Sequence, residues 1–239
     1  MPAHPTDVSA DAFIARLEGE ASETERVKYQ RYFPERHHEF IGVRMGAVFA
    51  AARDVATMDL DQIERLLEHD AHEVRAGGVR IMAEQAKARG TTDERLQALA
   101  ALYLRRHDRI DDWDLVDLGA WDVLGRSLVE RPRDSLDELA GSDDPWRRRS
   151  AITATFAFIR RGELDDTYRI AERLLDDDHE LVRKAVGWAL RNAGDHDPGR
   201  LAAFLQTHAA TMPRSTLRNA IEKLPPEARK RMLALGRTG

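Results

Sequence analysis

Trp113 and Asp117 are four residues apart, so a helix through them sets an indole beside a carboxylate on one face. Trp188 and Arg191, three apart, share a face in the same way. Indole faces attract cations and a carboxylate stabilises positive charge, so these groups suit a reaction in which positive charge develops. The plainer reading of a tryptophan is core packing, and Trp121 and Trp146 are expected to be just that. Trp113 stands out because Asp111, Asp112 and Asp114 flank it, a poor setting for a deeply buried ring. Other reactive groupings are weak. His69 and His72 fall in a turn with no third ligand, so no metal is expected there. His37-His38 reads as a solvated loop, and Asp176-Asp177-Asp178 as a turn and cap. No glycine-rich phosphate loop and no Ser/His/Asp set stands out. The chain has no cysteine, which excludes disulfides, zinc thiolates and a thiol nucleophile.

The elements that must carry these residues are helices. Alanine, leucine and arginine dominate, and unbranched side chains lose little rotamer freedom in a helix. Ser22-Glu25, Thr91-Glu94 and Ser135-Glu138 read as capping boxes, and Asp144-Pro145 as a cap followed by a first-turn proline. Gly90, Gly162 and Gly194 follow apolar-periodic runs and are expected to end helices. No strand alternation is visible.

The helices also repeat. The segment 66–76 matches 174–185: a helix end, an acidic turn, then a new helix with an arginine in its first turns. The segment 139–152, with Arg149, fits the same frame. Arg149 and Arg183 are 34 residues apart and Arg75 and Arg149 are 74 apart, two periods of 37, which places a further unit near residue 112. Such a period with two helices per unit predicts an all-α fold, a right-handed α-solenoid of HEAT-like helix pairs with a concave groove. Stacking would then bring Trp113, Asp117, Arg149 and Trp188 together on the surface lined by second helices.

With 239 residues, 42% hydrophobic and 33% charged, the chain is expected to form one domain over 11–239 behind a disordered tail, 1–10. The first dozen residues lack the apolar run of a signal peptide, and no stretch is long and apolar enough for a membrane helix, so a cytoplasmic, bacterial protein and no membrane partner are expected. A net charge of −5 and a pI of about 6.0 count against a broadly basic duplex-binding surface. The local field of one face decides affinity, however, and net charge can sit elsewhere.

Three segments resemble the AlkD-type DNA alkylation repair enzymes: 110–117, with its Trp-x-x-x-Asp; 146–152, with Trp146 and Arg149; and 184–191, with Lys-Ala-x-Gly-Trp. Their order and spacing match, and the resemblance runs from about residue 25 to 225. The segment 40–44, Phe-Ile-Gly-Val-Arg, is similar to the family's lead into the first repeat. The resemblance implies that Trp113, Asp117 and Trp188 are catalytic and that Arg149 supports them. It implies contacts to DNA from Arg191, and we expect Arg44 and Arg148 to join it. Tyr32 is the expected aromatic facing the duplex, with Tyr29 as the alternative.

The resemblance further implies a DNA glycosylase acting on double-stranded DNA that carries alkylated purines such as 3-methyladenine and 7-methylguanine, with bulky adducts within its range. Such a lesion base is cationic and already a good leaving group. Asp117 would stabilise the oxocarbenium-like sugar and hold or deprotonate the attacking water. Trp113 and Trp188 would cradle the charge, and Arg149 would orient Asp117 or a phosphate. The lesion would be recognised from the backbone side, without base flipping. No metal or organic cofactor is implied, and a monomer is expected. The competing expectations are a HEAT-like module that binds DNA without cleaving it, or a protein scaffold.

Overall fold

The computed structural model describes residues 8–33 and 39–235, which leaves His37-His38 and most of the expected tail outside the described residues. The chain divides into two compact units, 1–123 and 124–239.

The first unit holds α1 (Ala10–Gly19), α2 (Glu23–Tyr32), α3 (Met45–Asp54), α4 (Leu60–Glu68), α5 (His72–Lys87), α6 (Asp93–Arg105) and α7 (Trp113–Gly119). The second holds α8 (Asp134–Ala140), α9 (Pro145–Ala154), α10 (Phe156–Ile159), α11 (Asp165–Arg173), α12 (Glu180–His196), α13 (Pro198–His208), α14 (Arg214–Ala220) and α15 (Pro226–Leu235). A π-helical turn, Ala120–Gly125, follows α7. Among the described residues the extended pairing is a single bridge, Glu39 to Ala71. The fold is all-α, as the composition requires.

Within the first unit α4 pairs with α5, α5 packs on α7 and α4 on α6. Within the second, α8 pairs with α9 and α11 with α12, while α9 packs on α12 and α8 on α11. First helices therefore stack on first helices and second on second, the arrangement of a helical-pair repeat. Ile63, Leu66 and Leu67 of α4 and Val74, Val79 and Met82 of α5 are fully buried, and Gly78 of α5 sets its backbone against Leu66 and Leu67.

A ladder of arginines fixes the repeat register. The Arg75 guanidinium donates to the carbonyls of His69 and Asp70, six and five residues back, and reaches Asp111 at 3.1 Å. Arg148 does the same with Ser142 and Asp143 and reaches Asp177 and Asp178 of the next turn. Arg183 holds the carbonyls of Asp177 and Asp178. Each is the fourth residue of its helix. The anchor of the 139–152 unit is thus Arg148, not Arg149 as the sequence frame had it, and its spacing to Arg183 is 35 residues. Three consecutive arginines hid that one-residue shift. In α7 the equivalent position is Val116, and Arg109 instead secures the preceding turn through the carbonyls of Glu68 and His69.

Local signals fare unevenly. Asp144 caps α9 as expected, accepting from the Trp146 N–H at 2.9 Å. The cap of α6 is Thr92, one residue past the expected Thr91. Ser135 lies inside α8 rather than before it. Gly162, at φ +77°, sits just beyond α10, but Gly194 is interior to α12: a Cβ there would strike Leu201 of α13, so it serves close packing rather than termination. Ser9 caps α1 through the Ala12 N–H, and Ala10 is buried.

Candidate active site

The start of α7 is held by the acids that flank Trp113. The buried Asp112 caps the helix, its Oδ1 accepting from the Trp113 N–H at 2.6 Å. Asp114 ties α7 to α5 through His72, Nε2 to Oδ2 at 2.8 Å. Asp111 takes Arg75. The acid-rich flank is therefore a set of ties that leaves the Trp113 ring half-exposed. His72, Asp112 and Asp114 offer ligand atoms within 4.8 Å of one another, a spacing that could hold a metal ion. Local spacing pairs His72 with His69, whereas its two acidic neighbours in space come from α7 and its cap. Within the group, Asp112 Oδ1 serves the helix cap and Asp114 Oδ2 takes the bond to His72 Nε2.

Trp113 and Asp117, one turn apart on α7, line one cleft of about 590 Å³ in the first unit. That is within the usual range of small-ligand pockets, about 300–1,000 Å³. Tyr29, Tyr32 and Phe33 form a wall from α2 and its end, and Met45 and Phe49 form another from α3. Asp117, Asp114 and Glu25 bring carboxylates into a largely aromatic and apolar open cleft, which Lys28 and Arg44 also line.

The two tyrosines have different jobs. The Tyr29 hydroxyl donates to the Val43 carbonyl at 3.0 Å and accepts from the Met45 N–H at 3.1 Å, while its ring stacks on Phe40. Burial pushes its phenol up, against the lowering effect of the Met45 bond. Tyr32 is 67% exposed and its ring lies 6.4 Å from that of Trp113. Of the two, Tyr32 is the ring open to a ligand. Arg44 is largely exposed and its Nε donates to Glu25 at 3.2 Å. The bond from Lys28, the larger effect, and that from Arg44 hold the Glu25 carboxyl below its ordinary range.

Met45 and Phe49 escaped the sequence reading, and Glu25, expected in a capping box with Ser22, instead takes Lys28 and Arg44 while Ser22 makes no side-chain cap bond. Met45 and Phe49 carry the four-residue spacing of a helix face, a signal that says nothing of what the face meets.

The loop 41–43 that joins this wall to the core is gripped by Glu73. This fully buried carboxylate accepts from the N–H groups of Ile41, Gly42 and Val43 at 3.2, 2.8 and 3.2 Å. Gly42 has φ +89°, and a Cβ there would collide with the Ser22 carbonyl.

In the second unit, Arg149 of α9 is buried at 5% exposure and its guanidinium donates to the Leu181 carbonyl of α12. Trp188 is half-exposed on α12, its ring 4.3 Å from that of Phe156. The glycine before it, Gly187, lets α12 press on α14, since a Cβ there would meet the Thr216 carbonyl oxygen at 2.5 Å. Arg191 is paired with Glu222, and Arg148 is consumed by the ladder. Trp146 is buried, as expected, and Trp121 is half-exposed.

The model of the family described as DNA alkylation repair enzyme matches residues 13–224. The chain belongs to the DNA alkylation repair enzyme family. Two solved structures share its fold. A predicted DNA alkylation repair enzyme from Enterococcus faecalis superposes with a TM-score of 0.69 at 15% identity, over 87% of this chain and 98% of its own. AlkD2 from Streptococcus mutans gives 0.58 at 18% identity, over 90% of this chain and 99% of its own. These likenesses establish the helical-repeat fold of this family member. A comparison with curated proteins returned no match. No helix among the described residues is long and apolar enough to cross a membrane.

Proposed function

We propose that this DNA alkylation repair family member is a glycosylase that hydrolyses the N-glycosidic bond of alkylated, cationic purines in double-stranded DNA. The observation that carries the reading is the cleft of the first unit, where Trp113, Asp117 and the exposed Tyr32 face one space. Aromatic faces and carboxylates both favour a cation, and apolar walls that a bound duplex would cover strengthen each of those attractions.

The alkylated base leaves as a neutral purine, so the barrier lies in the sugar. Positive charge grows at the anomeric carbon as the bond breaks. Asp117 stabilises that charge and takes a proton from the attacking water. Trp113 offers its indole face to the same charge, worth about 0.5–2 kcal/mol depending on desolvation. Tyr32 stacks at the duplex beside the lesion. The family resemblance gives Trp188 a like part and Arg149 a supporting one, each testable by substitution. The lesion is read from the backbone side, without flipping the base into a closed pocket. The same ladder register in Arg75, Arg148 and Arg183 supports one repeat domain over 11–239. A monomer in the bacterial cytoplasm completes the reading.

The test is release of 7-methylguanine from methylated duplex DNA by wild type and Asp117→Asn. Release by wild type with a loss of at least tenfold in the variant is expected, since removing one positioned charge-stabilising group from a water-excluded site costs about 10²–10³-fold and this cleft is open until the duplex covers it. No release by wild type, with duplex binding intact, would overturn catalysis and leave a DNA-binding module.

A further inference from the structure

Folding consumes most of this chain's arginines, including Arg148 and Arg191, both expected at phosphates. Among the described residues, a few basic side chains have neither an acidic nor a hydrogen-bonding partner. Arg31, Arg53 and Arg89 stand apart in the first unit. Arg218, Arg229, Lys230 and Arg231 stand together, all exposed, on α14 and α15.

Arg218, Arg229 and Lys230 line a groove of about 620 Å³ between these two helices, floored by Ile221, Leu233 and Ala234. The acid in the groove, Glu222, is neutralised by Arg191. The helix α15 buries no residue of its own, and a bond from Arg214 to the Leu233 carbonyl at 3.0 Å secures it. Like charges held together without counter-ions repel one another, and a polyanion relieves that repulsion. An acidic chain that must hold a duplex needs one face with a local positive field.

We infer that the α14–α15 face binds the phosphate backbone of duplex DNA, independently of sequence and lesion. The inference rests on the DNA-repair reading above. It names the substrate's backbone as the ligand and Arg218, Arg229 and Lys230 as its contacts.

The experiment measures affinity for an undamaged duplex by fluorescence anisotropy between about 50 and 200 mM salt. Each phosphate neutralised contributes about 0.9 to the slope of log K against log salt. Arg229→Gln with Lys230→Gln is expected to lower the slope by about 1.8, and adding Arg218→Gln by about 2.7 in total. The control is Arg53→Gln with Arg89→Gln, which removes the same charge from the first unit and should leave the slope unchanged. All these side chains are solvent-facing, so thermal melting of each variant should match wild type. An unchanged slope in the α14–α15 variants, or an equal fall in the control, overturns the inference. Release of 7-methylguanine that still depends on Asp117 would then leave the glycosylase reading standing, whereas a wild type without duplex affinity overturns both.

Discussion

Glu73→Gln isolates the clamp that sets one wall of the cleft. Glu73 Oε1 serves Gly42 and Val43, and Oε2 serves Ile41. A glutamine keeps the shape and one oxygen. If that oxygen stays with Gly42 and Val43, each bond loses its charge assistance, about 1 kcal/mol apiece. The amide NH₂ then faces the Ile41 N–H, donor to donor, and a third charge-assisted bond of about 1.5–3 kcal/mol is lost. The glutamine also loses a favourable negative charge in the first turn of α5, about 0.3–1 kcal/mol. It no longer buries a charge, which returns several kcal/mol of desolvation. The net expectation is a destabilisation of about 2–3 kcal/mol. A chain of this size should melt about 5–10 °C lower, at about 2–4 °C per kcal/mol. Urea denaturation gives the free energy, and amide hydrogen exchange gives the location: the amides of residues 41–43 should lose protection while the α12 core keeps its own. A change below about 0.5 kcal/mol, the size of an ordinary surface substitution, with those amides still protected, would refute the clamp.

The ladder and a buried phenol give two further tests. Arg148→Met leaves Asp177, whose side chain is 3% exposed, without its bridging partner, and should cost about 3 kcal/mol by urea denaturation. Arg147→Met, on an exposed pair 3.9 Å from Asp144, should change stability by less than about 0.5 kcal/mol. Equal effects would remove Arg148 from the repeat register. The Tyr168 ring is buried between Phe204 and Arg200, and its hydroxyl has no partner among the described residues. Burial pushes that phenol up to about 12, against the lowering effect of Arg200. A folded pKa above the unfolded value of about 10 means stability is full below pH 10 and falls as pH rises through 12. Tyr168→Phe should be neutral or stabilise by up to about 1 kcal/mol at pH 7 and should flatten the alkaline loss. An alkaline limb of the same steepness in the variant would exclude Tyr168 as its source.

Short-range physics made part of this molecule legible. A four-residue step on a helix is nearly one turn, so Trp113 and Asp117 had to share a face whatever surrounded them. The helix content and the recurring acidic turn followed from composition and periodicity. The cleft did not, because its other walls come from α2 and α3, and pairing between distant segments leaves no local trace. The choice between Tyr32 and Tyr29 turned on the same missing information: only the fold shows the Tyr29 hydroxyl bonded to the backbone of 43–45. Gly194 misled because small residues end helices and also admit neighbours, and the sequence does not say which.

The run Arg147-Arg148-Arg149 shows why charge was the hardest property to read. Successive residues on a helix point about 100° apart. Arg147 therefore faces outward, Arg148 turns along the stack to the acids of the next turn, and Arg149 turns inward to the Leu181 carbonyl. Three identical residues thus give one loosely paired charge, one structural bridge and one buried donor. A net charge of −5 sums over all such fates and so says little about any one face. What a polyanion meets is the set of cations that folding leaves unpaired, and on the second unit that set gathers on α14 and α15. The acidic pI and a phosphate-binding face are therefore compatible, since the ladder spends its arginines against the same acids that set the pI.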